Sequence, residues 1–394
     1  MVTGVAINGR DRSCDARDEI TVELGRQNVR DRGSPSSCSL TLRCPTRDDI
    51  ASPFDRVAVD VDGVPRFTGW IAETALGYAN DGTAWQRIAA VGSLASYGYA
   101  LIGEEPWPQE TVAARAQRIA AIIGEPIVVQ GGSGTQVIGQ DVDSKQGIVL
   151  LQELAESTGG WLFDGPDGTI YLQSLGARSV TSSSVPWNDE PAGETWDELA
   201  ADITWQSETH NPYAPLDLDG CWVRWAPDWS ASHEVATVVR VVHGTAEEEQ
   251  VVQDDDAIAL YGRREVKLTS LLADPGDAIT LGTVVLERNN RPYPALTGVT
   301  VDMARLPRTL YMDLLQALPG IRATVHGLPQ PAPAPAVNGV IEGWRETIYA
   351  GGAHTLTLHI SDARHSLAVP AWDAEPVEAT WDDLDPTAIW EEDL

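Results

Sequence analysis

The alternation of apolar and polar positions is the first structural signal in this chain. In 39–44, Leu40, Leu42 and Cys44 alternate with polar residues, the period of a half-buried strand. In 56–65, Val57, Val59 and Val61 share a face. Asp62-Gly63 then supplies the positive-φ positions of a tight hairpin, and the return strand runs through Phe67 to Ile71. A further strand over 85–91 follows the turn at 80–82. Short strands with regular turns predict a barrel or sandwich over the first hundred residues.

The period changes after residue 105. Val112, Ala116, Ile119 and Ile123 lie on one helical face, Gly124 suits the end of that helix, and Pro126 prevents its continuation. A second helix is expected over 145–158, with Ile148, Leu151, Leu154 and Ala155 as its stripe and Gly159-Gly160 as its stop. A strand at 126–130 and a hairpin through 161–173 complete a small α+β unit. Strands are expected again at 203–206, 220–225, 234–242, 296–302, 322–326, 339–348 and 354–360. A helix over 275–288 interrupts them, with Asp274 as cap and Pro275 at its first position. The proline-rich 328–336 reads as an extended loop.

The pattern divides the chain into five stretches. Residues 1–104 form a first β-barrel domain, and 105–185 a helix plus the small α+β domain. Residues 186–199 form an acidic, Trp-rich connector without Lys or Arg. Residues 200–370 form a second β-barrel domain with its inserted helix, and 371–394 a tail with nine acids and no base. The tail's 380–384 (TWDDL) echoes 195–199 (TWDEL). Fourteen tryptophans are many for 394 residues, and Trp suits protein interfaces. Trp187, Trp196, Trp372, Trp381 and Trp390 are therefore candidate anchors for docking neighbouring chains.

Charge narrows the partners. Against 58 acidic residues stand 27 basic ones, a net of −31, which repels nucleic acid and anionic membranes. Two readings of the acid stay open: a solubility device, or the lining of a passage through which DNA slides without sticking. The first twenty residues are charged, unlike a signal peptide, and no apolar run reaches membrane-span length, so a soluble protein made in a cytoplasm is expected. Cys14, Cys38, Cys44 and Cys221 have neither disulfide-framework nor zinc spacing and read as free thiols.

Candidate chemistry fails at named positions. No phosphate-binding GxxxxGK[ST] loop occurs, and the glycines at 132–134 lack the third of a dinucleotide loop. The 233–237 run starts like a zinc-protease helix, but Thr237 stands where the second histidine belongs. Lys145 and Gln146 spoil a calcium loop that would begin at Asp141, and the acids 254–256 read as a solvated loop. No GxSxG elbow is present. The expectation is no catalytic residue, no cofactor and no metal.

The order of these units resembles the hub proteins of tailed bacteriophages. Three stretches carry the likeness: 54–71 (FDRVAVDVDGVPRFTGWI), similar to the family's barrel hairpin; 147–168 (GIVLLQELAESTGGWLFDGPDG), similar to its helix, break and hairpin; and 261–264 (YGRR) followed by the 274–288 helix, 291–294 (RPYP) and 340–345 (VIEGWR). Within that family the chain resembles minor tail proteins of long-tailed phages infecting actinobacteria. The resemblance implies a structural, non-enzymatic virion protein at the tail tip, assembled as a homotrimer. Two similar barrels per chain would make a ring of approximate six-fold symmetry, matching a six-fold tail tube to a three-fold tip and bounding the channel for ejected DNA. Implied partners are the distal tail protein, the tail tube, other tail-tip proteins and a tape-measure protein. No wall-degrading domain is expected after residue 370. The competing classes are a tail-associated wall hydrolase and a glycan-binding receptor protein.

Overall fold

The computed structural model describes residues 3–27, 31–44, 46–80, 82–103, 106–131, 134–174, 216–218, 228–231, 235–291 and 294–362, apart from 329, 331, 334, 350 and 351. The expected strands at 203–206 and 220–225, the connector, the tail and Cys221 lie outside the described residues.

Most of the described strands expected for the first and second β domains join one 13-stranded sheet. Its order is Asp228–Ala231, Pro294–Asp302, His354–Asp362, Val337–Tyr349, Ala16–Gly25, Ser37–Cys44, Ala84–Gly92, Val64–Tyr78, Arg56–Val61, Thr3–Ile7 and Arg10–Asp11. Arg322–Val325 pairs with the first part of Val337–Tyr349, and Leu216–Asp217 pairs with Arg322–Val325. The N- and C-terminal halves meet where Ala16–Gly25, here called the seam strand, pairs with Val337–Tyr349. One hydrophobic core serves both halves, from Val5 and Leu42 to Trp344 and Ile360. The predicted alternation holds: Cys38, Leu40, Leu42 and Cys44 face inward, as do Val57, Val59 and Val61. Each buried valine removes enough apolar surface to contribute about 1.5–3 kcal/mol. Asp62 and Gly63 adopt the expected positive φ, 51° and 81°, and turn the chain from Val61 into Val64.

The halves repeat each other in detail. Val64–Tyr78 and Val337–Tyr349 are both long strands that turn back into a pairing neighbour. Each carries a register shift at the same place, between Ile71 and Glu73 and between Ile341 and Gly343. Ile71 pairs with Ala90 as Ile341 pairs with Ile360. The turns match as well. The Ala79 amide donates to the Thr83 carbonyl at 2.9 Å, and the Tyr349 amide donates to that of Ala353 at 2.9 Å. Gly82 and Gly352 sit at equivalent turn positions with φ of 83° and 90°, a conformation that disfavours a β-carbon. Ile71 thus corresponds to Ile341, and Ala79 to Tyr349.

Two smaller units hang from this sheet. In the first, helices Val112–Ile123 and Gly147–Ser157 pack on Ile127–Gln130, Ile170–Gln173 and Trp161–Asp164 around their own core. Thr111 caps the first helix by accepting from the Ala114 amide, and Gly124 at φ 86° ends it, as the sequence predicts. The second unit departs from expectation. Val238–His243, placed by sequence among the strands of the second β domain, lies instead between Glu248–Gln253 and Glu265–Thr269 in a separate three-stranded sheet. Helix Pro275–Asn289, started by Asp274 and Pro275 as predicted, covers that sheet. The interruption is therefore a whole α/β unit. It docks on the α+β unit through Ile138 and Leu271, and through the Leu271 amide, which donates to Ser157 Oγ at 2.8 Å.

The seam demands backbone contact. A β-carbon on Gly343 would sit 2.3 Å from the Leu24 carbonyl oxygen and 2.7 Å from the Arg26 nitrogen. Gly343→Ala is expected to destabilise the protein by about 1–3 kcal/mol through overpacking at this point, measured as a lower urea midpoint with an unchanged slope.

Candidate assembly site

The seam is built from backbone and then locked by charge. Residues Glu19 to Gly25 pair antiparallel with Gly343 to Tyr349. Gly25, at φ 79°, brings its backbone against Glu342 and Gly343, and the Arg26 amide donates to the Glu342 carbonyl at 3.0 Å. On the C-terminal strand, Trp344, Glu346 and Ile348 share the buried face. A carboxylate in that row must find a partner or lose its charge. Arg66, from the N-terminal long strand, supplies it: its Nε donates to Glu346 Oε2 at 2.7 Å, and both side chains are 0% exposed. His354 Nε2 lies 2.7 Å from the other carboxylate oxygen. The guanidinium also donates to the Leu315 carbonyl and lies 5.2 Å from the Trp344 ring centroid.

Burial pushes the Glu346 carboxyl up, but Arg66 and His354 outweigh it and hold the group below its ordinary value. Arg66 Nη2, Trp344 Nε1 and His354 Nδ1 have no hydrogen-bond partner among the described residues. An incompletely satisfied buried pair adds little net stability over an apolar substitute, yet losing one member is expensive. Its consequence is register: only one alignment of the halves places Arg66 against Glu346.

A second pair lies along the seam. Arg26 Nε donates to Glu342 Oε2 at 2.7 Å, and Ser361 Oγ to the other carboxylate oxygen at 2.5 Å. The Arg26 guanidinium stacks 4.6 Å from the ring of Trp161, which belongs to the α+β unit. Asp164, fully buried on the same hairpin, accepts from the backbone amides of Ser36 at 2.8 Å and Leu94 at 3.3 Å. Burial raises its carboxyl despite those amides. Three units therefore converge on a few buried ionic groups.

The residue types of a nucleophilic triad occur here without its geometry. Cys38, Glu346 and His354 are all buried, and burial, with Glu346 adding to it, pushes the Cys38 thiol above its ordinary range. A thiol held neutral and away from solvent does not attack a substrate. Among the described residues no three His, Cys, Asp or Glu side chains converge as a metal site requires. Lys145, in the failed calcium loop, pairs with Glu153 at 2.8 Å. The 254–256 acids, expected as a solvated loop, instead start a helix, Asp255–Tyr261. Asp254 accepts from the Ala257 amide at 2.8 Å and from Asn290 at 2.9 Å, and these bonds lower its carboxyl. A cavity of about 250 Å³ opens beside the seam between Glu23, Arg26, Asp31, Arg32 and Trp344. No helix among the described residues is long and apolar enough to cross a membrane.

Trp187, Trp196, Trp372, Trp381 and Trp390, the docking anchors expected from sequence, lie outside the described residues. The structure instead draws attention to Arg26, Arg66, Glu342, Glu346 and His354. Glu342 and Glu346 carry a signal in the sequence: two carboxylates in an apolar strand, one of them in phase with Trp344 and Ile348. Their arginine partners come from residues some three hundred positions away, which periodicity does not reach.

An unusual surface lies on the N-terminal long strand. Beyond Ile71 that strand pairs only with Ala84–Gly92 among the described residues, and its other edge is open. Leu76 and Tyr78 are 37% and 75% exposed there. Phe54, 81% exposed, donates its amide to the Ile71 carbonyl where the open edge begins.

A fold of two halves sharing one sheet, with an α+β unit and an inserted α/β unit, is similar to that of three solved phage tail proteins. The structure is similar to a tail protein from Neisseria meningitidis MC58, with a TM-score of 0.59 and 14% identity, covering 93% of this chain and 98% of that one. It is similar to the 43 kDa tail protein of prophage MuSo2 from Shewanella oneidensis, with a TM-score of 0.60 and 11% identity over 92% and 98%. The prophage tail protein gp18 from Listeria monocytogenes EGD-e aligns with a TM-score of 0.53 and 9% identity over 91% and 94%. No protein-family model matches the sequence. No curated protein sequence matches it either.

Because Glu346 is held below its ordinary pKa, its ionisation stabilises the fold at neutral pH. That contribution is lost as pH falls through the carboxylate range toward the folded value. Glu346→Gln is expected to cost about 3–5 kcal/mol at pH 7. The gap to the parent protein should narrow in urea titrations carried down to about pH 4; a gap independent of pH would contradict the ionised pair.

Proposed function

We propose that this chain is a structural subunit of a phage tail tip, a baseplate hub that assembles as a homotrimer. The observation that carries the reading is the internal repeat. Two halves with the same hairpin, the same register shift and the same turn lie side by side in one sheet. Three such chains present six near-equivalent units around an axis while remaining three-fold as an assembly. A ring of that kind fits between a six-fold tail tube and a three-fold tip, and it bounds the passage for DNA during ejection. The likeness to three phage tail proteins over more than nine-tenths of the chain supports the same reading.

The net charge of −31 suits a wall that DNA passes without adhering, since like charge removes the phosphate contacts on which nonspecific binding depends. The role is mechanical, with no catalysed reaction. The partners are the distal tail protein, the tail tube and other tail-tip proteins, with a tape-measure protein in the channel. The Trp-acid stretches around Trp187 and Trp196, and around Trp372, Trp381 and Trp390, are docking strips for those neighbours. The virion is that of a long-tailed phage of an actinobacterial host.

Sedimentation equilibrium of the purified full chain tests this. The expected mass is three times that of one chain, independent of loading over a tenfold range. A single-chain mass under conditions that preserve the fold would overturn the hub.

A further inference from the structure

The repeat makes one edge conspicuous. In the C-terminal half, Gly343–Tyr349 is covered on its outer side by the seam strand. The matching stretch of the N-terminal half, 73–79, has no strand on that side among the described residues. Leu76 and Tyr78 stand where Glu346 and Ile348 stand in the other half. There the side chains are buried; here they face solvent. An open strand edge with exposed apolar side chains and a single charge, Glu73, is a template for another strand.

The strand that would cover it also exists. The seam strand pairs with Ser37–Cys44, which pairs with the return strand Ala84–Gly92. In the C-terminal half, Asp228–Ala231 pairs with Pro294–Asp302, which pairs with the return strand His354–Asp362. Asp228–Ala231 is therefore the counterpart of the seam strand. Among the described residues it ends the sheet and pairs on one side only. Among the described residues each chain thus carries an open edge and a covering strand with one free side, and within one chain they are not paired with each other.

We infer that Asp228–Ala231 of one copy adds to the open edge 73–79 of the next copy, repeating between chains the seam that joins the halves within a chain. This deepens the hub reading and rests on it. The contact is head-to-tail, so it propagates until the ring closes, and it buries backbone donors and acceptors as strand addition does. The register follows from the internal seam. Ser39 faces Ala89 as Gly298 faces His359, and Ala89 and His359 are equivalent positions. Thr21 faces Ser39 and Thr347, while Asp228 faces Gly298. Asp228 therefore lies opposite Gly77 of the neighbour, and Trp229, Ser230 and Ala231 continue antiparallel toward Glu73 past the register shift that separates Asp228 from Trp229.

Paired cysteines read this register. In a Cys14→Ser, Cys221→Ser background of the full chain, the in-register pair Gly77→Cys with Asp228→Cys should oxidise to a covalent trimer on a denaturing gel. Tyr78→Cys with Ala231→Cys, several residues out of phase, should remain mostly single chains. Leu76→Lys should leave the circular dichroism unchanged while the sedimenting mass drops to one chain. If the unmodified protein sediments as a trimer, yet the in-register pair does not cross-link and Leu76→Lys remains trimeric, the contact is elsewhere and the hub reading survives. If the unmodified protein is a single chain, both fail.

Discussion

The backbone pairing of residues 19–25 with 343–349 is the constraint on which the rest depends. It joins sequence ends more than three hundred residues apart, so its chain-closure entropy is large and must be offset by what the seam buries. Close approach at Gly25 and Gly343 lets the backbones meet, and the shared core from Leu42 to Trp344 supplies the apolar gain. The ionic groups then select the alignment. Arg66 reaches Glu346 only when the two long strands cross as they do, and Arg26 reaches Glu342 while stacking on Trp161. A one-residue slip would turn Trp344 and Ile348 outward and leave Arg66 buried without its carboxylate.

Local pattern and long-range pairing were unequally legible in the sequence. The strands at 39–44 and 56–61, the Asp62-Gly63 turn, the helix ended by Gly124 and the helix started by Asp274 and Pro275 all follow from short-range chemistry, and the structure contains them. The partnership of strands does not follow from such signals. Val238–His243 reads as a strand from its valines, yet nothing local says that its neighbours are Glu248–Gln253 and Glu265–Thr269. The short helix Arg308–Gln316 buries Tyr311, Leu314 and Leu315, a spacing visible in the sequence but too brief to stand out. The acids at 254–256 resemble a solvated run because a cap and a loop share the same composition. Of the site, the carboxylates Glu342 and Glu346 were visible as anomalies in an apolar strand, whereas Arg26, Arg66 and His354 became partners only through the fold.

The repeat also gives the surface its meaning. A sheet that continues from one half into the other already solves the problem of joining two near-equivalent units. The stretch 73–79 and the outer strand Asp228–Ala231 each leave one edge open among the described residues, the two edges that the seam joins in its own case. An assembly that reused it would need no second type of contact around the ring.

Electron cryomicroscopy of the purified full chain tests the central claim most directly. The account predicts a closed ring of three copies whose end view shows six similar densities, with the sheet running unbroken across each boundary between copies. Particles of one chain, or rings in which the boundary lies away from residues 73–79 and 228–231, would contradict it.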